Sequence, residues 1–125
     1  MTLALFLVVA VAGGLGAGTR FVLDGVVRSK VRTAFPWPTT IINLSGSLAL
    51  GVLTGLVVAR LAPTDVAAVI GTGFLGGYTT FSTASYETVQ LVRQKRYGTA
   101  FAYSIGVLVA CVALAFAGYR WGSSL

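Results

Sequence analysis

Four runs of mostly apolar residues, each long enough to cross a bilayer, fill this chain of 125 residues, and only short segments join them. A spanning helix needs about 20 such residues. The runs cover approximately 3–20, 38–60, 65–92 and 97–119. Hydrophobic residues make up 56% of the chain and charged residues 10%, where a water-soluble domain carries about a quarter. The sequence therefore predicts an all-α integral membrane protein built as one four-helix domain over residues 1–125. A cleaved signal peptide fits the first run poorly, because no basic residue precedes it and three further spans follow.

Several function classes are excluded at once. The chain has no histidine, one cysteine, and only Asp24, Asp65 and Glu87 as acids. No intrachain disulfide can form, and the material for acid–base or zinc catalysis is nearly absent, so an enzyme is not expected. The net charge of +6 does not point to nucleic acid. All nine basic residues lie at the edges of the apolar runs, where a membrane protein keeps them. Arg20, Arg28, Lys30, Arg32, Arg93, Lys95 and Arg96 share one side, against Arg60 and Arg120 on the other. Basic residues stay in the cytoplasm, which predicts both termini outside.

Glycine is abundant, with 16 residues, and recurs at four-residue spacing in Gly14 with Gly18, Gly51 with Gly55 and Gly73 with Gly77. Such spacing lets helix backbones approach closely, and tight packing is its ordinary meaning. Asn43, Ser47, Gly51 and Gly55 form one stripe on the second span. An amide there must find partners, either as a bond between helices or as NH₂ donors offered to a ligand. The third span carries Gly71-Thr72-Gly73-Phe74-Leu75-Gly76-Gly77-Tyr78-Thr79-Thr80-Phe81-Ser82-Thr83. Adjacent glycines weaken the helical ladder there, and β-branched threonines follow. A break is expected near mid-span, freeing carbonyl oxygens that can hold a cation. Glu87 lies within the same span. Ionisable groups there are functional candidates, but Glu87 stands six residues from Arg93, so the plainer reading is that it reaches the interface.

These residues resemble the Fluc/CrcB family of fluoride channels over nearly the whole chain. The similarity rests on Gly13 to Phe21, on Thr39 to Gly51 with Asn43, and on Gly73 to Thr83 followed by Glu87. It implies an antiparallel dimer of four-helix subunits in the cell membrane, passing fluoride out of the cytoplasm and so lowering its toxicity. It implies a central sodium ion, structural and not transported, on the main-chain carbonyls of Gly76 and Thr79. It assigns the fluoride path to Asn43, Phe81, Ser82, Thr83 and Tyr103, and an entrance to Arg20 and Glu87. Three positions depart from the family pattern: Ala84 stands where a second phenylalanine is usual, and Val107 and Cys111 stand where serines follow the tyrosine. With the charge bias, this points to one half of a heterodimer whose partner is an oppositely oriented homologue. The alternatives are a homodimer, a pore-poor accessory subunit or, against the lack of an acid in the first span, a small proton-coupled exporter.

Overall fold

The computed structural model describes residues 1–125. Every regular element is helical and there is no strand. Helix α1 (Leu3–Lys30) opens at Thr2, whose hydroxyl accepts the Leu5 N–H at 3.1 Å, a usual helix cap. It continues well past the first apolar run, because nothing in residues 21–30 stops it and Asp24 pairs with Arg28 one turn on at 3.0 Å. Helix α2 (Trp37–Val58) carries Pro38 in its first turn, where the missing N–H would have had no partner anyway.

The third run does not form one helix. Residues 64–78, here α3, are helical and widen over Ala68–Leu75 into a π-helical stretch, a winding common at functional sites. The backbone then breaks at Thr79, which is extended (φ −81°, ψ 160°), and resumes as α4 (Ser82–Arg93). Helix α5 (Tyr97–Ser123) closes the chain. Helices α1, α2 and α5 are long and apolar enough to cross a membrane.

The break falls in the stretch the sequence reading singled out, on its threonine pair and not on its glycines. Gly76 and Gly77 are both helical. The interruption falls one turn later, at Thr79, Thr80 and Phe81. The glycines serve close contact instead: a Cβ at Gly77 would strike the Gly13 carbonyl oxygen, and one at Gly16 would strike that of Phe74. Residues 73–78 thus lie backbone to backbone on α1. Helices α2 and α5 join in the same manner, with Gly51 against Ala115 and Gly122 against Val52. Gly14 and Gly18 behave differently from expectation, since both face open space and Gly13 and Gly16 on the adjoining face make the contact.

The distribution of side chains is that of a membrane protein. Only 18 of 125 residues are buried, and the largest fully buried side chains are Tyr103, Ile42 and Thr39. Phe6, Leu7, Val11, Leu15 and Phe21 point outward from α1. Apolar residues gain nothing by leaving lipid for a protein interior, so close packing of small residues holds such helices together.

Candidate functional site

The break is pinned by one side chain. The Asn43 amide donates from Nδ2 to the Thr80 carbonyl at 2.8 Å, and its Oδ1 accepts the Thr80 N–H at 2.9 Å. Both polar groups of the Thr80 peptide, released when the helix stops, are met by α2. Of the two readings open for Asn43, the bond between helices is therefore present, and one N–H of the amide remains for another acceptor. The Thr80 hydroxyl accepts the Thr83 N–H at 3.1 Å and so caps the start of α4.

Other carbonyls at the break stay free. In an unbroken helix the Gly76 oxygen would accept the Thr80 N–H and the Thr79 oxygen the Thr83 N–H. Those donors turn to Asn43 and to the Thr80 hydroxyl, and neither oxygen accepts any hydrogen bond in the chain. Main-chain oxygens without donors suit a hard cation. The residues present thus fit the sodium ion that the family resemblance implies, although two oxygens are fewer than such an ion takes, so a single chain offers part of a site.

The break borders a groove of about 860 Å³ in which Asn43, Gly76, Thr79, Thr80, Phe81 and Tyr103 meet. Phe81 is 84% exposed within the single chain. Ala84, Val107 and Cys111 also line the groove, so the three departures from the family pattern share one surface. Ser82 and Thr83 do not line it, and their hydroxyls gather around that of Thr80 at 3.4 and 3.1 Å. The hydroxyl residues that do line it include Ser47, Ser85, Thr88 and Ser104. Ser85 and Thr88 lie four and seven residues after Phe81 on one helix face, a spacing that could have identified them. Both donate back to the helix, to the Phe81 and Ala84 carbonyls, which leaves their oxygens as acceptors.

Glu87 does not simply reach outward. Its Oε1 accepts the Thr39 hydroxyl at 2.6 Å and the Tyr103 hydroxyl at 3.1 Å. Thr39 and Tyr103 are each only 1% exposed. Thr39 escaped the sequence reading, although it lies one helical turn before Asn43 on the same face. Tyr103 is held from the other side by Phe35, ring edge to ring face with centroids 5.5 Å apart, and Phe35 leans on Trp37 at 4.7 Å. Glu87 also lines a second cavity of about 830 Å³, with Arg28, Arg32 and the loop 31–36. The three-residue network of Thr39, Glu87 and Tyr103 therefore stands between the groove and the basic cavity. Arg20 lines neither cavity, and its buried Nε has no partner.

Comparison with known proteins gives a consistent result. A family profile described as "CrcB-like protein, Camphor Resistance (CrcB)" matches residues 7–119. A protein of Leifsonia xyli subsp. xyli named fluoride-specific ion channel FluC 1 is 48% identical over 122 residues, covering 98% of this chain and 89% of its own. A FluC protein of Thermus thermophilus is 37% identical over 96% of both chains. FluC 2 of Moorella thermoacetica is 40% identical over 96% of this chain and 98% of its own.

Proposed function

This chain belongs to the CrcB-like family, and on that premise we propose that it is a multi-pass membrane subunit of a fluoride-specific ion channel. Its relatives are named as ion channels and not as enzymes. The observation that carries the reading is the helix break at Thr79–Phe81, fastened by Asn43 on the wall of a groove. Irregular backbone at membrane depth persists only where it is buried or lines a cavity.

The chemistry suits a small, strongly hydrated anion. Fluoride gives up water reluctantly, so a path must return donors for those lost. Asn43 keeps an N–H beyond the one bound to Thr80. The positive edge of the Phe81 ring can meet an anion. Tyr103 carries a hydroxyl whose proton points to Glu87, and a fluoride ion there competes with the carboxylate for it. Many weak contacts let the ion leave again. A passive path suffices for export, because hydrogen fluoride enters as a neutral acid and ionises inside.

In this reading the region 64–93 is the third of four crossings, in two pieces. A second, inverted copy of the fold completes the site. Its presence would supply the further oxygens that a sodium ion needs beside those of Gly76 and Thr79, and would cover Phe81. Sodium there ties two subunits together through main-chain oxygens. The protein sits in the cell membrane with both termini outside and the basic loops in the cytoplasm, where they raise the local concentration of anions.

The partner is a homologue of opposite orientation. Seven of nine basic residues on one side favour a single orientation, and Ala84 and Val107 put two non-donating side chains on the groove beside the weakly donating thiol of Cys111. The numbered names FluC 1 and FluC 2 among the relatives fit organisms that carry more than one such chain. The same three residues support a second reading, in which this chain contributes no conducting groove and serves its partner as scaffold.

Efflux from vesicles loaded with potassium fluoride, followed with a fluoride electrode, tests the function. Efflux without a proton gradient, absent for chloride and abolished by Phe81→Ile, is expected. Equal chloride efflux would refute the reading. Expression alone in fluoride-sensitive cells separates the assemblies: full rescue without a homologue means a homodimer.

A further inference from the structure

We propose that the basic cavity at the end of α1 binds the phosphate of an anionic phospholipid headgroup. The proposal needs only a chain inserted in a bilayer and does not depend on which ion the groove conducts.

The cavity sits at the right height. Helix α1 has 28 residues and is about 42 Å long at 1.5 Å per residue. The hydrocarbon layer takes about 20 of these residues. Counted from Leu3, that brings Val22 to the far boundary and leaves Gly25, Arg28 and Ser29, all cavity-lining, at the level of the headgroups. Trp37, 41% exposed, marks the same level, since tryptophan favours the membrane–water interface.

The lining is also rich in donors with nothing to bind. Arg28 is held by Asp24 in the only ion pair of the chain. Arg32 and Gln94 line the cavity and have no side-chain partner. Gln90 donates one N–H to the Tyr86 hydroxyl at 2.6 Å and keeps its second. The loop adds main chain: the N–H groups of Arg32, Thr33, Ala34 and Phe35 make no hydrogen bond within the chain, and all four residues line the cavity. Successive free N–H groups beside a guanidinium are what a phosphate oxygen needs. The Ser29 and Thr33 hydroxyls contribute little, because their protons go to the Val26 and Phe35 carbonyls.

One lining group opposes an anion, the Glu87 carboxylate. It already receives two hydroxyl protons from Thr39 and Tyr103. Lys30, Arg93, Lys95 and Arg96 lie on the same side of the sequence pattern without lining the cavity. They attract anionic lipid in general, whereas the cavity gives it a place.

A tryptophan-quenching titration tests the proposal. With Trp121→Phe, Trp37 is the one remaining indole, and it packs at a tilt against the cavity residue Phe35, with ring centroids 4.7 Å apart. The protein is reconstituted in phosphatidylcholine with rising fractions of phosphatidylglycerol carrying brominated acyl chains, and in the reverse mixture. Both leaflets carry the lipid, so insertion direction does not matter. The expected result is a preference for phosphatidylglycerol of about fivefold, the size of one basic side chain acting at an anionic surface. Arg32→Gln should bring it close to one, Gln94→Ala should lower it in part, and Arg96→Gln should leave it unchanged. Gel filtration of each variant verifies that it is folded. Equal loss in Arg32→Gln and Arg96→Gln, or no preference in the parent protein, would overturn the site. Loss of the preference in millimolar inorganic phosphate would show a free-anion site and overturn the assignment to lipid.

Discussion

Replacing Asn43 by leucine keeps a side chain of similar size and deletes both hydrogen bonds to the Thr80 peptide. Two magnitudes bracket the result. A buried polar group left without a partner costs about 1–3 kcal/mol, hence roughly 2–6 kcal/mol for the pair. Hydrogen bonds between membrane helices average only about 0.6 kcal/mol, or roughly 1 kcal/mol for two, because the unfolded chain in lipid finds other partners. Thr80 is half-buried and borders a groove of about 860 Å³, so some water reaches it. A loss of about 2–3 kcal/mol follows, between the dry limit and the membrane average. Unfolding in mixed micelles with rising dodecyl sulfate, followed by circular dichroism, measures it, and fluoride efflux from vesicles is read on the same preparation. Asn43→Asp keeps an acceptor for the Thr80 N–H but sets a second oxygen against the Thr80 carbonyl, so its loss should equal or exceed that of leucine. A leucine variant within about 0.5 kcal/mol of the parent, the range of a substitution that touches nothing important, and conducting at the parent rate would refute the role given to the amide.

Gly77→Ala drives a Cβ into the Gly13 carbonyl and should cost about 1–3 kcal/mol in the same unfolding assay. Gly14→Ala and Gly18→Ala meet nothing in the chain; they should leave unfolding of the subunit unchanged, and a shift in the dimer peak on gel filtration would show that a second subunit covers them. Tyr103→Phe removes one of the two donors to the Glu87 carboxylate at about 1.5–3 kcal/mol and should lower fluoride efflux, whereas Glu87→Ala strands both hydroxyls and should cost more than Tyr103→Phe; the reverse order would count against the network. Lys95 ends α4 at φ 60°, a left-handed conformation that costs a side-chain-bearing residue about 1–2 kcal/mol, so Lys95→Gly should raise the melting temperature.

Much of the architecture was legible because apolar run length and basic loops obey membrane rules that act on sequence directly. The helical class follows from them, and the interruption of the third run from its glycines and threonines. Which half of that glycine–threonine stretch breaks does not follow from sequence. Two glycines look like the weakest point of a helix when propensity is all that is visible. Here their lack of a Cβ is what lets Gly77 lie against Gly13, and that contact stabilises the helical turn it was expected to undo. The break moves to Thr79–Phe81 because Asn43, 37 residues earlier, offers the Thr80 peptide an alternative partner. Thr39 was missed for a related reason. A threonine at the start of a helix reads as ordinary, and only the fold shows that its hydroxyl meets Glu87 on another helix. Gly14 and Gly18 carried the expected spacing but stand one position off the contacting face, which spacing alone cannot resolve.

The bond from Asn43 to Thr80 also bears on how the chain is made. Synthesis runs from the N-terminus, so α2 leaves the ribosome before the broken segment does. The amide is then already embedded when the interrupted backbone follows, and the kinked segment can enter lipid with a partner waiting. Without α2 in place, the Thr80 peptide groups would meet hydrocarbon unpaired, which costs several kcal/mol per group. The order of the two segments along the chain thus puts the partner in place before the break arrives.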